Sequence, residues 1–254
     1  MKKTLIVLVA LAGVAAADTE KTVDITTSLM PTTTPTWCGE GTGTPMDLKW
    51  NPTFSGNAAS EAATLTTVFK NLSIASSGYY AFNQYGSGKN SGGVSLTDGT
   101  LTINGPSGDG SGSMFFVAVV TVEDILKGND FESLNNITLT LTGNSGSCVD
   151  SWFSVYSMDT TNTLTTILEL AVNDSSSLKS WSGSKSYTIN ADSLEATDKL
   201  VLFVRHNDDI SKVTADTLKF TDLKATANVT VPEPTTATLS LLALAGLAAR
   251  RRRK

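Results

Sequence analysis

Apolar residues alternate with polar ones again and again between Val23 and Val229. A repeat of two is the repeat of a β-strand with one face buried. Val94, Leu96, Leu101 and Ile103 flank Asp98-Gly99, and a two-residue Asp-Gly turn pairs Leu96 with Leu101 and Val94 with Ile103. Ile137, Leu139 and Leu141 alternate, as do Val149, Ser151, Phe153 and Val155, and then Leu200, Leu202 and Val204. Strand-like stretches also open at Val23 and Ile25 and recur over Leu164–Val172 and Tyr187–Ile189. Leu218 and Phe220 are in phase with each other but not with Leu223, Ala225, Ala227 and Val229, which predicts a bulge near Thr221-Asp222. Met114–Val122 is apolar almost throughout and reads as a central strand buried on both faces. Thr and Ser together outnumber the charged residues, as suits strands and turns.

Two stretches break the pattern. Ala58–Leu72, with Asn57 as a candidate N-cap, predicts one helix, although Thr64–Phe69 contains β-branched residues. Glu123–Lys127 predicts one helical turn. About ten strands with Gly-rich loops give an all-β fold, an antiparallel two-sheet sandwich. Loops 31–45, 86–93 and 104–113 are too short for interdomain linkers, and no internal repeat is present, so one domain is expected over residues 18–231. The last two strands, KLVLFVRH and LKFTDLKATANV, resemble the closing pair of jelly-roll carbohydrate-binding modules; the resemblance implies a jelly-roll-like fold and transfers no activity.

The two ends read differently. Met1-Lys2-Lys3, an apolar run from Leu5 to Val14 and Ala15-Ala16-Ala17 have the three parts of a secretory signal peptide, with the cut expected after Ala17. At the other end, Pro232-Glu233-Pro234 stops the last strand. Thr235–Ala249, apolar from Leu239 except Ser240, would form a helix of about 22 Å, short of the ~30 Å hydrocarbon core. Arg250, Arg251, Arg252, Arg253 and Lys254 would hold its end at the cytoplasmic face. This order of parts resembles the tripartite PEP-CTERM sorting signal. The resemblance covers residues 232–254. It implies export, temporary anchoring in the inner membrane by the C-terminal helix, and cutting near Pro232-Glu233-Pro234 by an exosortase. The product would reach the cell surface or the extracellular matrix.

Without the two ends, the body keeps 12 Lys and Arg against 23 Asp and Glu, a net charge of about −11. That balance disfavours nucleic acid and anionic membranes as partners of the body. Cys38 and Cys148 are its two cysteines, and an oxidising compartment makes a Cys38–Cys148 disulfide the expectation, with two buried free thiols as the alternative. No Cys-x-x-Cys supports a zinc site.

No catalytic residue is assigned. His206 is the one histidine, it follows an alternating strand, and no Gly-x-Ser-x-Gly elbow accompanies it. Glu123, Asp124, Glu169 and Glu195 could in principle serve a glycoside hydrolase, but their spacing has no signature. No cofactor is expected. Asn207, Asp208, Asp209 and Asp109 raise calcium as a candidate ion without fixing a donor set. Trp181 lies in the polar stretch LKSWSG, and Tyr79, Tyr80 and Tyr85 flank a Gly/Ser loop; stacked on a sugar ring, they would make a glycan site. The competing reading puts Trp181 at the edge of the core and the tyrosines in alternation on a strand. Three functions follow: a non-catalytic surface or matrix protein, a carbohydrate-binding module that recognises surface polysaccharide, or a hydrolase.

Overall fold

The computed structural model describes residues 19–38, 58–85, 93–105, 112–126, 133–145, 150–169, 181–207 and 217–231. In chain order the elements are β1 (Thr19–Ser28), β2 (Thr36–Trp37), α1 (Ala58–Asn71), β3 (Gly78–Tyr85), β4 (Gly93–Thr97) and β5 (Thr100–Asn104). They continue with β6 (Gly112–Thr121), α2 (Val122–Leu126), β7 (Ser133–Asn144) and β8 (Asp150–Met158). The last four are β9 (Leu164–Glu169), β10 (Ser182–Asn190), β11 (Lys199–Asn207) and β12 (Thr217–Val231).

The strands form two sheets. Sheet I has the order β10-β7-β12-β5-β4, with β1 also on β12; sheet II has the order β2-β3-β6-β11-β8-β9. Every pairing is antiparallel except β2 with β3. The expected two-sheet sandwich is therefore the fold, with the short parallel β2 added at one edge. The predicted hairpin is β4–β5: Leu96 faces Leu101 and Val94 faces Ile103. Its turn residues Asp98 and Gly99 have φ of 49° and 72°, the left-handed pair a type I′ turn needs.

The sheets bury one core between them. Ile137, Leu139 and Leu141 of β7 and Leu223, Ala225 and Ala227 of β12 point inward from sheet I, against Phe116 and Ala118 of β6 and Leu200, Leu202 and Val204 of β11. Strand β6 lies between β3 and β11, and its other side chains, Phe115, Val117 and Val119, are buried as well. A third layer explains this. Helix α1 places Ala62, Leu65, Val68 and Phe69 on one face, at helical spacing, over Phe115, Phe203 and Tyr156 of sheet II. Two of its threonines bond the preceding turn: Thr66 Oγ1 donates to Ala62 O at 2.8 Å and Thr67 Oγ1 to Ala63 O at 3.2 Å. The outer face of sheet I stays polar, with hydroxyl pairs Thr138–Thr188, Thr140–Ser186 and Thr142–Ser184 at 2.9–3.0 Å.

Strand β12 organises sheet I. It pairs with β7 on one side along its length, and on the other side with β5 over Thr217–Phe220 and then with β1 from Lys224 onward. The register against β7 shifts between Phe220 and Asp222, where the sequence phase predicts a bulge. Gly143 faces Phe220 at that point. A Cβ there would collide with the Lys219 carbonyl oxygen and lie 2.9 Å from Phe220 Cα. Backbone cannot move aside as a side-chain tip can, so Gly143→Ala should destabilise the protein by about 2–3 kcal/mol. A urea titration followed by tryptophan fluorescence checks this: the midpoint should fall with the slope unchanged.

Candidate functional site

The expected aromatic platform does not assemble. Trp181 is buried and packs on Phe220 with ring centroids 5.6 Å apart. Ser145 N donates to Trp181 O at 2.8 Å, and Trp181 N donates to Ser145 Oγ at 2.7 Å, which extends the β7–β10 ladder by one step. The stacking expectation for Trp181 is therefore corrected: a sugar cannot reach this ring. Period-two counting back from Ile189 and Tyr187 reaches residue 181, so an inward Trp181 was readable in the sequence. Tyr79 and Tyr80 are consecutive on β3 and face opposite ways. Tyr79 joins the inter-sheet core and stacks on Phe116; Tyr80 packs on the α1 side and donates from its hydroxyl to Ser76 O at 2.8 Å. Burial pushes both phenols above their ordinary range, and for Tyr80 the neighbouring Cys38 adds to the rise.

The expected disulfide is also corrected. Cys38 is a free thiol, half-buried against the helix-side core. Four strand spacings separate β2 from β8 in sheet II, roughly 19 Å. A disulfide requires Cα atoms within about 7 Å of each other. Cys148 lies outside the described residues. Burial pushes the Cys38 thiol up to about 11, so at neutral pH it is protonated and a poor nucleophile.

His206 is completely buried on β11, where its Nδ1 is 2.6 Å from Ser151 Oγ of β8, also buried. The pair lies on neighbouring strands of sheet II, with Ser151 opposite His206 in the register, and both residues are buried. The carboxylates are dispersed. Asp124 is used at the start of α2, where its Oδ2 accepts from Thr121 Oγ1 at 2.6 Å and its N–H donates to the same hydroxyl at 3.0 Å. Glu123 and Glu195 are exposed, and Glu169 ends β9. Among the described residues no three of His, Cys, Asp and Glu converge to hold a metal. Of the calcium candidates, Asn207 ends β11; Asp208, Asp209 and Asp109 lie outside the described residues.

What does assemble is a cavity that the sequence reading did not single out. Its volume is about 460 Å³, and it lies between the C-terminal end of α1 and the turn from β8 to β9. Phe69 and Ile74 form its buried apolar floor; Lys70, Ser73, Asn162 and Thr163 stand around it. The helix ends in a left-handed residue, Ser73 at φ 56°, with Ile74 N donating back to Phe69 O at 2.8 Å. Opposite, Asp159 Oδ1 accepts from Thr161 N, Thr161 Oγ1 and Thr163 N at 2.7–2.9 Å, and Asn162 takes φ 62°. The Thr163 backbone N–H, and then the Thr161 hydroxyl, hold the Asp159 carboxyl below its usual range, with Thr161 N–H and Lys199 adding to the effect. Thr66 Oγ1 joins the two walls by accepting from Leu164 N at 3.0 Å.

Among the described residues no helix is long and apolar enough to cross a membrane. The expected signal segment 1–17 and the expected tail 232–254, including the apolar run from Leu239, lie outside them. No curated protein matches the chain. Among solved structures, Xylanase10C from Cellvibrio japonicus in complex with xylopentaose is similar at 12% identity and TM-score 0.34, over 61% of this chain and 27% of that one. The chain thus spans about a quarter of that xylanase. TmCBM61 in complex with beta-1,4-galactotriose is similar at 8% identity and TM-score 0.31, over 57% of this chain and 86% of that one. The xylan-binding module CBM15 is similar at 12% identity and TM-score 0.30, over 60% and 92%. The family described as the PEP-CTERM protein-sorting motif matches residues 230–254. The chain therefore carries a PEP-CTERM sorting motif at the end of a two-sheet β-sandwich, which makes it an exported, membrane-sorted protein.

Proposed function

We propose that this is a cell-surface or extracellular-matrix protein whose body, residues 18–231, acts by binding and not by catalysis. The observation that carries the reading is the junction of sandwich and tail. β12 ends at Val231, Pro232 follows, and the sorting motif match begins at residue 230, so no linker separates them. β12 is an interior strand of sheet I, and the tail would hold the sandwich through that strand. Residues 1–17 would direct export. The apolar helix and Arg250–Arg253 would hold the chain in the inner membrane until an exosortase-type enzyme cuts near Pro232-Glu233-Pro234. The burial of His206, the chain's one imidazole, supports a non-catalytic role. Intact-mass analysis of surface-released protein tests the sorting reading: the released chain should lack Arg250–Lys254, and their retention would reject it.

Carbohydrate is the second reading, favoured by the cavity. Its volume falls within the range of about 300–1,000 Å³ usual for small-molecule sites, and hydroxyl and amide groups stand around it. Binding of the full chain to a glycan array tests it; silence across the array would leave a structural role. A hydrolase would need two carboxylates facing each other across a cleft. Asp124 is bonded to Thr121 at the start of α2, and Asp159, in the turn beside the cavity, is bonded to its own turn.

A further inference from the structure

Resting on the sorting reading, we propose that the start of β1, Thr19–Lys21, is a strap that controls the access of the processing enzyme to the sorting junction. The register brings the two ends of the body together. Thr19 pairs with Val231, Glu20 with Thr230 and Lys21 with Val229. Thr19 is the second residue after the expected cut at Ala17, and Val231 adjoins Pro232. The sorting motif match begins at residue 230, so its first two residues are inside the sheet. Against β7 the register ends at Thr230↔Ser133. The strap therefore reaches one residue closer to Pro232 than β7 does, at Thr19↔Val231.

The strap is separable from the rest of β1. After Lys21↔Val229 the next pair is Ile25↔Ala227, so Thr22, Val23 and Asp24 stand against Asn228 alone. An excess of residues on one strand interrupts the ladder at that point. The β7 side slips at the same step: Asn136 faces Asn228 and Leu134 faces Val229, with Asn135 left over. Both neighbours of β12 thus change register between Asn228 and Val229, and Val229–Val231 form a tip of their own. Beyond the bulge β1 is secured by its pairs over Ile25–Ser28, and Leu29 N donates to Leu223 O at 2.7 Å. On the β7 side, the Asn135 amide and the Thr230 hydroxyl bond each other at 3.2 Å. The strap has only three pairs and a bulge behind it, so it can lift while the rest of β1 stays in place. An enzyme that cuts a chain binds it extended, and extended peptides dock by adding a strand along a free edge. The closed strap occupies that edge of the tip. Local opening frees it, and cutting then follows the open population.

The test is a pulse–chase in cells expressing the full chain, with intact mass reporting loss of Arg250–Lys254. Glu20→Pro combined with Lys21→Pro removes two successive amides, which point to opposite edges, so one of them faces β12. Tail loss should become about fivefold faster, the size expected for one lost backbone hydrogen bond. The same masses report removal of residues 1–17, and an unchanged melting temperature of the released body confines the change to the strap. The opposite variant is decisive whether or not the proline variant is stable. Thr19→Cys with Val231→Cys, in a chain also carrying Cys38→Ala and Cys148→Ala, clamps the strap, since facing Cα atoms stand about 4.5–5.5 Å apart, within disulfide reach. Its tail loss should slow by about tenfold or more and recover in dithiothreitol. An unchanged rate in the proline variant, an unchanged rate in the oxidised clamp, or a clamp that stays slow after reduction would overturn the proposal. If the unaltered protein is released with Arg250–Lys254 still attached, the sorting reading falls and the strap with it. If it is cut and both variants match its rate, only the strap falls.

Discussion

Replacing Pro232, Glu233 and Pro234 together by alanine should leave the whole tail on the protein and hold it in the membrane fraction. The expected effect is close to all-or-none, because the change removes the site of cutting and leaves the anchor. Thr235–Ala249 would still supply about 22 Å of helix, and Arg250–Lys254 would still carry five positive charges to the cytoplasmic side. Alanine also permits helix where proline breaks it, so the apolar helix could extend back toward Val231 and lengthen the anchor. Cell fractionation with intact-mass analysis checks both parts of the result. Release of the triple variant at the normal rate would show that cutting occurs elsewhere. Replacing Arg250–Arg253 by serine is the complementary change. It keeps the cutting site and weakens the stop, so the protein should leave the membrane uncut.

Trp181→Ala should destabilise the sandwich by about 3–5 kcal/mol, the usual cost of emptying a large aromatic site in a core. The indole is buried against Phe220, beside the bulge where β12 passes Gly143. Its Nε1 is buried without a hydrogen-bond partner. Trp181→Phe should therefore be much milder, because it keeps an aromatic ring and removes the unpaired N–H. Urea midpoints of the two variants check the contrast. Any loss of glycan binding in Trp181→Ala should accompany loss of near-ultraviolet circular dichroism, since the residue supports the fold and faces no ligand. Equal midpoints for the alanine variant and the parent protein would return Trp181 to the surface.

Much of the sandwich was readable residue by residue. A repeat of two leaves only one way to bury alternate side chains, so β5, β7, β11 and β12 could be drawn before their partners were known. The Asp98-Gly99 turn set the β4–β5 register because few residues tolerate two left-handed positions in succession. The bulge at Thr221 showed as a change of phase. The tail was readable for a different reason: it works as a linear order of proline, apolar helix and arginine, and needs no fold to be recognised.

The tertiary structure decided what depends on distant segments meeting. Period two says that alternate residues are buried but not by what; only the packing of α1 on sheet II shows why Phe115, Val117 and Val119 are buried as well as their neighbours on β6. Cys38 is a free thiol on the side of sheet II away from β8, four strand spacings off, and no count of cysteines contains that distance. The cavity needed Lys70 and Asn162, more than ninety residues apart along the chain, to be brought together by α1 and the β8–β9 turn. The sequence by itself thus determined the strands and the sorting of this protein. Its candidate binding site was decided by packing, since a pocket is a property of surfaces that meet and not of any one segment.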